Sequence, residues 1–285
     1  MTSAADPDLA RLADLARRIR ISMIVTVGRA GAGHLGGSLS AVELVTALYF
    51  RFMSIDPANP GWADRDRFVL SKGHATPLYY AALAERGFFP VSWLDTYDRV
   101  DSRLQGHPDM RKTPGVDMTT GSLGQGLSAA VGMAIAARLL GRTFRVFALI
   151  GDGEFQEGQV WEALMCAGAR RLENLVCLMD RNGLQLASTV AEALPIDPVA
   201  EKWQAFGWHT VEIDGHDMAD VVRGIGTALD HRGGPVAVIA RTVKGKGVSF
   251  MENVVKWHSQ CPSREEVRAA LEELGASEGE VLPWR

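Results

Sequence analysis

Cysteine is scarce in this chain: Cys166, Cys177 and Cys261 are the only three in 285 residues. An odd number without metal-ligand spacing excludes a disulfide framework and suits a reducing compartment, so a cytoplasmic location is expected. Charge of either sign is not in excess. A net charge of −4 and a pI near 6.0 leave no basic footprint for nucleic acid. No apolar run approaches the length of a membrane span. Met1 to Asp6 lacks the basic start and apolar core of a signal peptide. No Pro- or Ser-rich linker and no internal repeat divides the chain, so residues 1–285 are expected to form one large domain.

What is there reads as strands alternating with helices. Residues 8 to 27 carry apolar and basic positions at helical spacing. Ser38 is placed to cap a helix that holds Glu43 early and runs to Met53. Phe68-Val69-Leu70 is a short strand, followed by a helix near 77–85 and a long irregular stretch over 88–121. The Ala- and Leu-rich segment 124–140 is expected to be a deeply buried helix. Apolar runs rich in branched residues at 146–150, 175–179, 208–213 and 235–240 read as buried strands, with helices near 157–171, 196–206 and 218–229 between them. Ser263-Arg264-Glu265-Glu266 is a capping box opening a last helix that ends near Gly275. The pattern predicts an α/β fold, a doubly wound, mainly parallel sheet with helices on both faces.

The most informative positions are at two strand ends. Gly151-Asp152-Gly153-Glu154 follows the run 146–150, and Asn182 follows the run 175–179, thirty positions after Asp152. Both should lie at the carboxyl edge of the sheet, where open α/β folds bind ligands. A hard cation takes oxygen ligands and completes its shell with phosphate. Asp152 offers a carboxylate, Asn182 an amide oxygen and Leu184 a backbone carbonyl. Gly151 and Gly153 let backbone N–H groups approach a phosphate. Of seven histidines, His34, His74, His107 and His258 fall in Gly- or Pro-containing loops near this edge, whereas His209, His216 and His231 carry no pattern and read as surface or loop residues. Lys244-Gly245-Lys246-Gly247 is either a phosphate-binding loop or a solvated turn.

This strand, Gly-Asp-Gly, helix, strand and Asn resembles the thiamine diphosphate motif. The segments Gly33–Ser40, Leu70–Ala75, Gln105–Pro108, Thr120–Gly126 and Lys244–Gly247 with the later His258 resemble transketolase signatures in the family's order, over roughly residues 15 to 260. The chain therefore resembles the N-terminal subunit of a split transketolase. The resemblance implies a thiamine diphosphate cofactor with Mg²⁺, or Ca²⁺ or Mn²⁺ in its place, the metal on Asp152, Asn182 and Leu184. It implies that His74, Gly121, Leu123, Gly151, Gly153, Glu154, Leu186, Lys244 and His258 bind the cofactor, and that His34 and His107 face the sugar. Glu157 and Glu162 match glutamates at the subunit interface of transketolases and would join a buried hydrogen-bond network there.

In transketolases the glutamate that acts on the cofactor's aminopyrimidine belongs to a second module. After His258 this chain has room for one helix, so it is expected to carry the diphosphate-binding half alone, to lack the pyrimidine-binding domain, and to need a separate C-terminal subunit in an α2β2 assembly. The implied substrates are sugars or sugar phosphates exchanging a two-carbon ketol group. Departures from the family pattern are Arg181 before Asn182, Ala187 and Ser188 in the following loop, and Ser259 after His258. Alternatives are a 2-oxoacid dehydrogenase α subunit or a deoxyxylulose-phosphate synthase relative, neither of which should need all four histidines, and a degenerate non-catalytic subunit. Gly31-Ala32-Gly33-His34-Leu35-Gly36 has the spacing of a dinucleotide turn but follows a helix-like segment, which argues against a nicotinamide enzyme.

Overall fold

The computed structural model describes residues 6–277; Met1 to Ala5, read above for a leader, lies outside them. Along the chain run α1 (Pro7–Ala30), α2 (Gly36–Leu39), α3 (Val42–Ala47), β1 (Arg67–Leu70), α4 (Thr76–Arg86), α5 (Gln125–Leu139), β2 (Val146–Gly151), α6 (Gly158–Ala169), β3 (Leu175–Arg181), α7 (Val190–Ala193), α8 (Val199–Ala205), β4 (His209–Asp214), α9 (Met218–Asp230), β5 (Val236–Arg241) and α10 (Arg264–Glu273). The five strands make one parallel sheet in the order β1-β2-β3-β5-β4.

Side-chain alternation along the strands gives the sheet two cores. Phe68, Phe147, Leu149, Val176, Leu178 and Val238 pack with α1, α3, α4 and α9 on one face. Val69, Val146, Ala148, Cys177, Met179 and Ile239 pack with α5, α6 and α8 on the other. The expected doubly wound parallel architecture is what forms. The capping box at Ser263 and Glu266 also forms as read, each side chain bonding the other residue's backbone N–H.

Two expectations fail locally. Ser38 caps nothing: it lies inside α2, and its hydroxyl donates to the His34 carbonyl at 2.6 Å. A serine four residues past a free carbonyl bonds back to it more readily than it bonds forward to a helix not yet begun. The helix to Met53 is accordingly broken, with a π turn over Leu48–Phe52. The second concerns α5, which is buried along one face only, by Leu127, Ala130, Ala134 and Ala137. Gly132, Leu139 and Leu140 face outward, the two leucines 82% and 71% exposed. Uniformly apolar composition predicts burial but not which molecule supplies it.

The inner face of α5 touches the loop that leaves β1. A Cβ on Gly126 would meet Ser71 Oγ at 2.5 Å and its Cα at 2.6 Å, whereas one on Gly132 would meet nothing within 4 Å. Gly126→Ala should therefore lower stability by about 1–3 kcal/mol through overpacking. Gly132→Ala in the same helix should raise it by about 0.5–1 kcal/mol by lowering backbone entropy in the unfolded chain. Urea midpoints moving in the same direction for both variants would contradict this packing.

Candidate active site

The end of α2 and the carboxyl ends of β1, β3 and β5 converge on one carboxylate, Asp180. It accepts from Lys72 Nζ, Ser40 Oγ, Thr242 Oγ1 and Asn182 Nδ2, the last at 3.0 Å. Burial alone would raise its pKa, but the Lys72 ammonium and these donors hold it below the usual carboxylate value. Because Asn182 gives its Nδ2 to Asp180, its amide is oriented. The Oδ1 accepts from Leu184 N at 3.1 Å.

Asp152 sits beside this hub, its N–H on the Asp180 carbonyl at 3.2 Å. Its carboxylate accepts from Gly153 N at 2.8 Å and Gly183 N at 2.5 Å. Burial, reinforced by the nearby Asp180 charge, pushes it up to about 6. A buried carboxylate with an anionic neighbour is a favourable seat for a cation. Asp152, Asn182 and Leu184 line the same cleft, of about 290 Å³. Among the described residues no group of three His, Cys, Asp or Glu side chains could hold a metal. One carboxylate, one amide oxygen and one backbone carbonyl make a donor set that fits a hard cation whose shell is completed by a ligand's own oxygens.

Lys244 closes the other side. Its Nζ donates to the Leu184 carbonyl at 3.1 Å and lies 2.9 Å from His258 Nδ1. Burial draws this ammonium down to about 8. Burial and then the Lys244 charge bring His258 to about 4, and burial and then Lys72 put His74 well below its ordinary value. Both imidazoles are neutral at pH 7. With Nδ1 accepting from Lys244, His258 carries its proton on Nε2.

The four loop histidines come together as expected. The His34 ring centroid lies 5.2 Å from His74, 5.4 Å from His258 and 6.4 Å from His107, and His74 lies 5.1 Å from His258. His74, Leu123, Leu186, Lys244 and His258 line the Asp152 cleft, while His34 and His107 line a neighbouring hollow of about 370 Å³.

Other candidate residues are placed differently. Glu154 lines the cleft but spends its carboxylate on structure, accepting from Ser71 Oγ at 2.5 Å, Gly124 N at 2.8 Å and Gly151 N at 3.1 Å. The N–H groups of Gly151 and Gly153 are therefore already taken within the loop. Gly121 is absent from the cleft wall and lies against His107, whose Cδ2 would be 3.2 Å from a Cβ there. Glu157 is at the cleft rim and Glu162 is on the exposed face of α6, so the chain alone buries neither.

Three groups that shape the site carried no signal as site residues in the sequence. Lys72 and Asp180 were visible only as members of strand-end motifs. His216 is no surface residue: its Nε2 accepts from Val243 N at 2.7 Å, which puts the proton on Nδ1, 3.3 Å from Glu43 Oε2. Arg20 holds the other Glu43 oxygen at 2.6 Å. This chain of contacts anchors the segment that carries Lys244. Nothing in the spacing of residues so far apart would have linked them.

Known proteins resemble this chain in sequence and in fold. The family model described as "Transketolase, thiamine diphosphate binding domain" matches residues 12–282. The chain is 48% identical to the 6-deoxy-6-sulfo-D-fructose transketolase subunit SqwG of a Clostridium species, covering 94% of this chain and 96% of that one. It is 45% identical to an apulose-4-phosphate transketolase subunit of Actinobacillus succinogenes, covering 91% and 94%. The structure of Campylobacter jejuni transketolase superposes with a TM-score of 0.90 at 29% identity, covering 98% of this chain but 44% of that one. The chain thus spans under half of the full-length enzyme and nearly all of the separate subunits. By its sequence it belongs to the transketolase family, as a thiamine diphosphate-binding domain.

Proposed function

We propose that this chain is the diphosphate- and metal-binding subunit of a two-subunit transketolase, moving a two-carbon ketol group from a ketose donor to an aldose acceptor. The observation that carries the reading is the cluster of His34, His74, His107 and His258 beside the oxygen edge of Asp152, Asn182 and Leu184. A 2-oxoacid dehydrogenase or deoxyxylulose-phosphate synthase subunit would not call for all four imidazoles. A degenerate subunit would not call for an intact oxygen edge.

Thiamine diphosphate, when bound, supplies an electron sink that stabilises the carbanion of the transferred unit. Asp152, the Asn182 Oδ1 and the Leu184 carbonyl would hold Mg²⁺, with Ca²⁺ or Mn²⁺ as substitutes. Lys244 and Lys72 put positive charge at the cleft for a diphosphate, and His258 can donate from Nε2. His34 and His107 stand where sugar hydroxyls would enter, and imidazoles exchange protons with hydroxyls near neutral pH.

The partner in this reading is a C-terminal transketolase subunit contributing the pyrimidine-binding half in an α2β2 assembly. Exposed apolar surface supports it: Leu139 and Leu140 on and after α5 and Met165 on α6, the last 57% exposed. Exposed apolar residues of this kind mark contact sites, and burial of Met165 would also cover Glu162, three residues before it on α6. Among the described residues no helix is long and apolar enough to cross a membrane. The three unpaired cysteines accord with the cytoplasm.

In the assembled enzyme, Asp152→Ala should weaken Mg²⁺-dependent thiamine diphosphate binding at least ~100-fold, since a metal ligand matters no less than the groups behind it. Unchanged affinity by calorimetry would remove Asp152 from the metal site. His107→Ala should lower kcat about 10²–10⁴-fold, the range of a lost proton-transfer group, with cofactor affinity near wild type. Comparable losses in both would move His107 from the sugar to the cofactor.

A further inference from the structure

The hollow that holds His34 and His107 is also lined by Tyr97, Asp98 and Gly106, and among the described residues no lysine or arginine lines it. Asp98 is exposed, but its position is fixed by the backbone around it. Its backbone is left-handed, with φ 56°, a conformation uncommon outside glycine that aspartate tolerates better than most residues. Its N–H donates to the Leu104 carbonyl at 2.8 Å, and its Oδ1 accepts from Gly106 N at 3.0 Å. A Cβ on Gly106 would stand 3.0 Å from that oxygen, so the carboxylate rests on backbone that a larger residue would crowd. The loop closed by these two bonds leads directly into His107.

The same loop keeps its bases elsewhere. Arg99 and Arg103 line a different hollow, where the Arg103 guanidinium stacks over Trp93 at 5.0 Å. The acid therefore shares the wall of this hollow with the two imidazoles and with no lysine or arginine among the described residues. Burial, then His107 and Lys244, lower the His34 pKa, and Asp98 is the group that opposes them.

We propose that Asp98 is a specificity-determining residue that excludes anionic substituents from the His34–His107 side of the cleft. Resting on the transketolase reading above, this orients the sugar: uncharged, hydroxyl-bearing carbons lie beside the two imidazoles, and any phosphate or sulfonate points away from the Asp98 loop. A sugar with a charged far end is therefore accepted, whereas an aldehyde with a charge next to its carbonyl is not. One like charge about 5–6 Å away at a wet protein edge changes affinity by roughly tenfold.

The test uses Asp98→Asn, which keeps an oxygen for the Gly106 N–H and removes the charge. Two acceptors are compared in the assembled enzyme: glyoxylate, whose carboxylate adjoins the aldehyde, and its neutral counterpart glycolaldehyde. The substitution should raise the ratio of kcat/KM for glyoxylate to that for glycolaldehyde about tenfold. A ratio unchanged from wild type overturns the proposal. A second readout needs no turnover: glyoxylate is titrated into the full chain while the imidazole resonances of His34 and His107 are followed by NMR. Asp98→Asn should bind glyoxylate more tightly than wild type by a similar factor, and identical titration curves also overturn the proposal. Absence of ketol transfer with both acceptors contradicts the transketolase reading instead, and the titration then decides the role of Asp98 by itself.

Discussion

A buried ion pair between Lys72 and Asp180 ties the sheet edge together. The two side chains are 3% and 0% exposed. Each also takes a further partner from another segment: Lys72 the Gly37 carbonyl, Asp180 the hydroxyls of Ser40 and Thr242. Four parts of the chain, α2 and the ends of β1, β3 and β5, thus meet at one carboxylate. Removing one partner from a buried pair costs about 3–5 kcal/mol, because the other charge is left without compensation. The pair also orients Asn182 through its Nδ2, which leaves the amide oxygen on the side of Asp152 and Leu184.

Two neighbouring carboxylates are driven in opposite directions by this arrangement. Asp180 has an ammonium and three neutral donors, and stays ionised despite full burial. Asp152 is driven up by burial and then by its anionic neighbour, against only two backbone N–H donors, and its pKa rises to about 6. The imbalance is what a bound cation would relieve. Lys244 stands nearby with its ammonium on the Leu184 carbonyl, one of the three oxygens in question. The segment carrying it is set by the His216, Glu43 and Arg20 contacts, so the geometry of the cleft reaches back as far as α1.

Much of this was legible in the residues. The strand runs, the Gly-Asp-Gly turn and Asn182 follow from local chemistry, because parallel strands bury both faces and bind ligands at one edge. The four loop histidines followed from motif and position together. What was not legible depends on partners far away in the chain. His216 meets Glu43 across 173 residues and had no pattern to mark it. Glu154 follows the Gly-Asp-Gly turn like a ligand-binding residue, yet its oxygens serve Ser71, Gly124 and Gly151. Ser38 had the composition of a cap but a nearer acceptor at His34. The exposure of Leu139 and Leu140 was hidden because uniformly apolar composition does not say which face of a helix its own domain covers.

The central claim is that the chain holds half of a cofactor site and that a second subunit completes it. Calorimetric titration of thiamine diphosphate with Mg²⁺, run on this chain alone and again with a co-expressed C-terminal transketolase subunit, tests it most directly. The account predicts tight binding and ketol transfer in the pair and neither in the chain alone. A stable complex that binds no thiamine diphosphate would contradict it and identify this chain as a non-catalytic subunit.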